Sequence, residues 1–233
     1  MFSDIAQHWA SSCIVALATQ NVIKGYPNGT FRPQAVVSRA EFAALMQKAL
    51  PQLPAVREAI AFVDVPPEFW ASDAIAWVSE RGLFSGYGDG RFLPNQTISR
   101  VQALVVLVAG ISAKPASETT SQLETAAAAQ KRQQQIEQNF IDASEIPAYA
   151  RESVGMALEY ALLESLPEPR ALLPNQSASR GEVAALLCQM LSIPEEDWAS
   201  SHLDRYPKLS QDRQAIFQAF FRQENGFDAL KLA

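Results

Sequence analysis

The amino-acid sequence predicts an all-α protein: three helix-loop-helix repeats in a pseudo-threefold, three-pronged bundle, followed by a C-terminal helical tail. A set of short motifs recurs three times along the 233 residues. Within each repeat the apolar residues follow helical periodicity, and a capping signal precedes the second helix. Because one helix pair of this size cannot bury its apolar stripe alone, the repeats are expected to associate about a common centre.

Each repeat has the same order of motifs at nearly the same spacing. It begins with Phe-x-Asp, continues with an aromatic-alanine pair, and passes through a turn to a Ser-Arg pair. The starts are FSDI at 2, FVDV at 62 and FIDA at 140, and the aromatic residues are Trp9, Trp70 and Tyr149. The Ser-Arg pairs are Ser38-Arg39, Ser99-Arg100 and Ser179-Arg180. The intervening turn reads GYPNGTFRP from Gly25, GYGDGRFLP from Gly86 and, in a degraded form, LPEPRALLP from Leu166.

The two helices of a repeat have recognisable ends. The first helices of repeats 1 and 2 are predicted to end at Asn21 and Gly82, residue types that readily adopt the left-handed conformation after a helix. The second helices begin with capping boxes, in which a serine and an acid or amide satisfy unpaired backbone N–H groups. These boxes are Ser38-x-x-Glu41, Ser99-x-x-Gln102 and Ser179-x-x-Glu182.

The motifs also divide the chain into segments. These are repeat 1 (1–50), a linker (51–61), repeat 2 (62–111), an Ala/Gln-rich insertion (112–139), a degenerate repeat 3 (140–191) and an amphipathic tail (192–233). The insertion is predicted to be helical and is interpreted as a solvated spacer. The tail places Phe217, Phe220 and Phe221 on one stripe, which must be covered by the bundle or by a protein partner.

Composition excludes several classes of function. The net charge of −6 and pI near 5.0 argue against a nucleic-acid binder, and no apolar run is long enough for membrane insertion. Cys13, Cys188, His8 and His202 lack metal-ligand spacing, so no metal or cofactor is expected. No catalytic arrangement of Ser, His, Cys or carboxylates can be argued, which predicts a protein that is not an enzyme. Both cysteines are predicted to be free thiols.

In these motifs the chain resembles the S-layer homology family. Repeats of that family carry an F-x-D start, a W-A pair, a G-Y-x-D-G-x-F-x-P turn and a T-R-A-E-like helix start. Repeats 1 and 2 match almost throughout, and Ser-Arg-Ala-Glu at 38–41 is the best match to the last motif. The resemblance implies a pseudo-threefold bundle that binds pyruvylated or otherwise anionic cell-wall polysaccharides without catalysis.

The residues themselves favour an anion site at each Ser-Arg pair. An arginine at a helix N-terminus adds a planar fork for a carboxylate to free N–H groups and a favourable dipole. A nearby aromatic ring can stack on a sugar, and a glycine turn lets a ligand approach the backbone. Candidate glycan-binding residues are Trp9, Gly25, Tyr26, Ser38, Arg39, Trp70, Gly86, Tyr87, Ser99 and Arg100. Arg180 is left out, because its own repeat lacks the glycine turn and one groove is expected to be lost or altered.

Two alternatives stay open at this stage. The arginines could instead pair with Asp4, Asp64 and Asp142 of neighbouring repeats and lock the bundle, with the aromatic residues as plain core. The protein could also be an intracellular assembly subunit that docks on other proteins through its tail. Because FSDI follows Met1 directly, a cell-envelope location requires that an export signal was removed, whereas a native start at Met1 indicates the cytoplasm.

Overall fold

In the residues that the structure describes, α-helices supply the regular structure, two in each repeat and one in the insertion. The computed structural model describes residues 2–112, 126–164, 166–168 and 170–191, all within the unit Met1–Ile193. The helices are α1 (Ser11–Thr19), α2 (Arg39–Ala49), α3 (Ser72–Glu80), α4 (Arg100–Ser112), α5 (Ala126–Asn139), α6 (Arg151–Glu159) and α7 (Arg180–Leu191). In these ranges β-structure is limited to isolated bridges, so the predicted all-α class is confirmed.

The first helix of each repeat ends in a left-handed residue. Asn21 and Gly82 have φ angles of 58° and 69°, as the sequence predicted, and Ala161 takes the same place in repeat 3 with a φ of 55°. The next residue closes the helix in each repeat with a backbone hydrogen bond to a carbonyl five residues back, typical of a Schellman motif. The chain therefore leaves all three first helices by the same geometry.

The second helix of each repeat begins with the predicted capping box. The N–H of Glu41 donates to Ser38 Oγ at 3.2 Å, and the N–H of Ser38 donates to Glu41 Oε2 at 2.7 Å. The corresponding reciprocal pairs are present between Ser99 and Gln102 and between Ser179 and Glu182. The candidate site residues Ser38 and Ser99 are thus helix caps.

The aspartate of each Phe-x-Asp motif holds the turn of its own repeat. The Asp4 carboxylate accepts hydrogen bonds from the backbone N–H groups of Phe31 and Arg32, both at 2.7 Å. Burial raises the pKa of Asp4, but these backbone donors outweigh it and leave that pKa below its ordinary value. Asp64 and Asp142 bind two successive N–H groups in the same way. Among the described residues, no ion pair joins these aspartates to Arg39, Arg100 or Arg180, although Asp64 acts electrostatically on Arg39.

A closed cycle of backbone hydrogen bonds joins the three repeats. The N–H of Val37 donates to the carbonyl of Ala178 at 3.0 Å, Ala178 to Ile98 at 2.8 Å, and Ile98 back to Val37 at 2.9 Å. The three residues are buried, and each directly precedes the Ser-Arg pair of its repeat. A buried N–H group without a partner is costly, so each repeat needs the other two to satisfy this centre.

The starts of the second helices continue the cycle. The N–H groups of Arg39 and Ala40, which have no partner within their helix, donate to carbonyls of Gln96 and Pro94 in repeat 2. The same two bonds run from α4 into repeat 3 and from α7 into repeat 1. The helix contacts follow the same order, with α2 on α3, α4 on α6 and α7 on α1. Each repeat therefore reaches forward into the next one.

Helix α5 is a packed element. It lies against α6, and its Ile136 is only 1% exposed. The Arg132 side chain of α5 packs over Gly155 of α6. Its Nε atom lies 3.2 Å from Oε1 of Glu159. The interpretation of the insertion as a solvated spacer is therefore wrong for residues 126–139. Residues 113–125 lie outside the described part of the chain, as does the tail with its predicted docking residues Phe217, Phe220 and Phe221.

Candidate functional site

Each arginine of a Ser-Arg pair inserts into the turn of the following repeat. The Nε atom of Arg39 donates to the carbonyl of Phe92 in repeat 2 at 2.7 Å. Arg180 Nε donates to Phe31 in repeat 1 at 2.9 Å, and Arg100 Nη1 donates to Leu172 in repeat 3 at 3.1 Å. The boundary between two repeats thus combines the arginine of one with the turn of the next.

The first boundary, here called the Arg39 groove, gathers residues from all three repeats. The Arg39 guanidinium lies 4.9 Å from the ring centre of Tyr87 and 4.8 Å from that of Phe92. Burial lowers the pKa of Arg39, and electrostatic interactions with Tyr87, Asp64 and Tyr149 oppose that effect. Burial and Tyr87 raise the pKa of Tyr149, against the effect of Arg39. Tyr149 of repeat 3 therefore lies close enough to Arg39 and Tyr87 to interact electrostatically with both.

The second boundary, the Arg180 groove, carries an additional cation. The Arg180 guanidinium lies 4.4 Å from the ring centre of Phe31 and 5.1 Å from that of Tyr26, and its Nη2 donates to Lys24 O at 2.8 Å. Arg32, which is exposed, lies 4.0 Å from the same Tyr26 ring. An open pocket of about 450 Å³ adjoins Arg32; its lining is Asp4, Gln7, His8, Arg32, Pro33, Gln34 and Ala35.

At the third boundary the arginine is neutralised by the protein itself. Arg100 is 7% exposed and forms an ion pair with Glu182, which is equally buried. Glu182 also caps α7, and Arg100 further donates to a backbone carbonyl of the degraded turn. The Glu182 carboxylate thus binds the Arg100 guanidinium, which was predicted to bind a ligand.

These contacts show which turn each arginine meets. From the sequence, the change was expected at Arg180, because Arg180 belongs to the repeat that lacks the glycine turn. The arginines reach forward, however, so the degraded turn of repeat 3 meets Arg100, while Arg180 meets the intact turn of repeat 1. Arg180 and Arg32 are candidate residues that were not predicted from the sequence. The signal for Arg32 was present, since FRP in repeat 1 corresponds to FLP in repeat 2.

The turn glycines are required by packing within their own repeats. A Cβ atom at Gly25 would lie 2.2 Å from the Phe2 ring, and one at Gly86 would lie 2.3 Å from the Phe62 ring. Contacts this short exclude any side chain unless the phenylalanine moves. The space beside these glycines is therefore taken by the first residue of the repeat, and the glycines act by shaping the turn.

The aromatic residues of the aromatic-alanine pairs differ in exposure. Trp70 and Tyr149 are both 63% exposed, so they are not core residues. Trp9 is partly buried, and its ring lies 5.3 Å from that of His8. The alternative that all three aromatic side chains simply fill the core is wrong for Trp70 and Tyr149.

The described residues were compared with the requirements of a metal site and of a membrane-spanning helix. Within those ranges, no group of three or more His, Cys, Asp or Glu side chains could hold a metal ion. None of the helices there has the length and apolar character needed to cross a lipid bilayer.

Comparison with protein families identifies the class of the repeats. The S-layer homology domain model matches residues 2–43 and 61–104, which cover most of repeats 1 and 2. Repeats 1 and 2 are therefore similar to S-layer homology domains. Repeat 3 lies outside both matches, although its aspartate, capping box and forward-reaching arginine follow the same geometry.

Individual relatives agree with this assignment. The chain is 26% identical to the cellulosome-anchoring protein of Acetivibrio thermocellus over 89% of its own length and 45% of that protein. It is 34% identical to cell surface glycoprotein 1 of the same organism over 44% of this chain and 4% of the relative. With the surface-layer 125 kDa protein of Lysinibacillus sphaericus it shares 37% identity over 43% of this chain and 8% of the relative. The chain spans less than half the length of each of these relatives.

Proposed function

We propose that the protein is a non-catalytic anchoring module of the cell envelope that binds an anionic, pyruvylated-type polysaccharide of the cell wall. The observation that carries the proposal is the pairing of Arg39 with Tyr87 and of Arg180 with Tyr26 at boundaries between repeats. The relatives named as anchoring, cell-surface and surface-layer proteins support the same location. These names give no support to the cytoplasmic alternative.

The chemistry of the two grooves suits a sugar that bears a carboxylate. Guanidinium N–H groups bind a carboxylate through two parallel hydrogen bonds, and a tyrosine offers both a ring face and a hydroxyl to a sugar. In the Arg180 groove two guanidinium groups flank Tyr26, and one of them, on Arg32, is exposed. A local cation pair of this kind attracts an anion even though the net charge of the chain is −6.

The remaining candidate residues are assigned by their position. We infer that the three helix pairs form three prongs around the backbone cycle, with one groove at each boundary. Trp9, Trp70 and Tyr149 supply aromatic surface for sugar rings. Gly25, Gly86, Ser38 and Ser99 shape the turns and helix starts. Arg100 belongs to a groove that Glu182 closes from within, so the module has two binding grooves.

Sedimentation with purified cell-wall material tests the ligand class. The full chain is mixed with wall material before and after mild acid treatment, which cleaves pyruvyl ketals and removes their carboxylates. Binding is expected to fall at least tenfold after the treatment, because the arginines lose their ionic partner. Equal binding to treated and untreated material would exclude a pyruvylated ligand.

Two variants, each of which loses one exposed arginine, test whether the Arg180 groove binds the wall polysaccharide. Arg32→Gln removes a cation from the Arg180 groove, whereas Arg91→Gln removes an exposed arginine that already pairs with Asp89 at 2.5 Å. Loss of one charge-assisted pair is expected to weaken wall binding by about tenfold for Arg32→Gln and by less than twofold for Arg91→Gln. Both positions are exposed, so both variants should melt like the unmodified chain. Equal affinities of the two variants would place the binding site elsewhere.

A further inference from the structure

The cyclic order of the repeats leaves one boundary that no linker spans. Residues 51–61 join repeats 1 and 2, and residues 112–139 join repeats 2 and 3. The contact of α1 with α7, by contrast, brings together the first and third repeats, between which the whole second repeat intervenes in the chain. Only non-covalent contacts hold this boundary in the described structure, and the two cysteines of the chain lie there.

The thiols of Cys13 and Cys188 meet inside this boundary. Cys13 lies on α1 and Cys188 on α7, and each is 4% exposed. Hydrogen bonding of the Cys188 thiol to Cys13, together with burial, raises the pKa of Cys188. Both cysteines are free in this structure. The contact of α1 with α7 and this interaction together place the two thiols next to each other in the reduced protein.

The equivalent positions at the other two boundaries carry no such pair. Position 13 corresponds to Ala74 in repeat 2 and Ser153 in repeat 3, and position 188 corresponds to Gln47 and Val108. The contact of α3 with α2 therefore has Ala74 and Gln47 at these places, and that of α6 with α4 has Ser153 and Val108. A facing thiol pair occurs at the one boundary that no linker crosses.

We propose that Cys13 and Cys188 are a disulfide-forming pair that closes the ring of repeats covalently when the chain folds in the presence of an external disulfide. One cysteine thiolate attacks the external disulfide, forms a mixed disulfide and releases the first thiol. The second cysteine then attacks the mixed disulfide, forms the Cys13–Cys188 bond and releases the second thiol. The two cysteine thiols are oxidised and lose two protons, and one molecule of external disulfide is reduced to two thiols.

The burial of the pair sets when this reaction takes place. Thiolate is the attacking species, and both the raised pKa of Cys188 and the burial of both sulfur atoms disfavour attack in the folded state. Exchange is therefore expected during folding, before α1 and α7 close over the sulfur atoms, or during later opening of this boundary. Protein that folds under reducing conditions keeps two stable thiols.

The disulfide would stabilise the fold because it closes a long loop and so lowers the entropy of the unfolded chain. A cross-link between positions 13 and 188 restricts most of the unfolded chain, and loop entropy gives long loops the larger gain. The oxidised protein is expected to melt on the order of 10 °C above the reduced protein. Cys13→Ala combined with Cys188→Ala provides the control, because its melting temperature should not respond to the oxidant.

Oxidative refolding of the full chain tests the proposal. Reduced, denatured protein is refolded with a mixture of reduced and oxidised glutathione, and its mass and peptides are measured without reduction. The expected result is a loss of two hydrogens per chain, mapped to a peptide that joins Cys13 and Cys188. If refolding fails, folded reduced protein is incubated with oxidised glutathione in sub-denaturing urea, where the same bond is expected. Two free thiols, or glutathione adducts without the internal bond, would overturn the proposal under whichever condition applies.

Discussion

Arg39, Arg100 and Arg180 occupy equivalent positions but meet different neighbours. Arg39 and Arg180 lie on tyrosine rings in intact turns, whereas Arg100 pairs with the buried Glu182. The equivalent of Glu182 in repeat 1 is Glu41, which caps its helix without pairing with an arginine in the described structure. The chemistry of a repeat boundary therefore depends on the side chains opposite the arginine and not on the arginine alone.

The two glutamates allow the ion pair to be separated from the capping box. Glu182→Ala removes both interactions, and Glu41→Ala removes only the cap. A lost cap costs about 1 kcal/mol of unfolding free energy, whereas a buried charge left unpaired costs roughly 3–5 kcal/mol. Glu182→Ala should therefore lower the free energy of unfolding by several kcal/mol more than Glu41→Ala, as measured by urea denaturation at pH 7.

A double variant of Arg100 and Glu182 tests whether the loss comes from the unpaired charge. Arg100→Met combined with Glu182→Leu removes both charges and should recover much of the loss, since apolar side chains can replace a buried pair. Equal destabilisation by Glu41→Ala and Glu182→Ala would show that the pair contributes no more than the cap.

At the scale of elements, the ends of the helices could be predicted from the sequence, but the packing of α5 could not. The positive φ angles of Asn21 and Gly82 and the three capping boxes follow from local sequence, because each depends on residues within one turn. Ala161 takes the same left-handed conformation without a residue type that favours it, because its repeat imposes the geometry. Helix α5 was predicted as a helix but not as a packed one, since its apolar edge is thin and Gly155 on α6 makes the space for Arg132.

The packing of α5 predicts a large effect from one side chain. Ile136→Ala leaves a cavity where α5 meets the rest of the protein, and truncation of a buried isoleucine costs roughly 2–5 kcal/mol. Gln138→Ala, an exposed change on the same helix, should alter the free energy of unfolding by less than about 0.5 kcal/mol. Chemical denaturation of both variants measures the difference. Two equally small effects would mean that α5 is a solvated spacer after all.

At the scale of the whole molecule, the number of repeats was predictable but the direction of their contacts was not. Recurring motifs define the repeats and the register of the Ser-Arg pairs, and hence the position of Arg39 within its repeat. The hydrogen bonds among Val37, Ile98 and Ala178 leave no such pattern, because backbone groups make them and the three buried side chains differ. The ion pair of Arg100 with Glu182 depends on the same direction of contact, which explains why the sequence placed the change at Arg180, whereas the degraded turn meets Arg100.

The closed cycle predicts that the repeats fold together. A fragment of residues 1–111 keeps both family-matched repeats but removes Ala178, the acceptor for the N–H of Val37. It also removes the carbonyls of Gln176 and Pro174, which accept from the start of α4, and exposes the apolar faces of α1 and α4. We expect this fragment to lack a cooperative thermal transition by circular dichroism, whereas the full chain unfolds its repeats in one transition. A fragment that melts cooperatively near the temperature of the full chain would show that two repeats suffice and that the cycle contributes little to the fold.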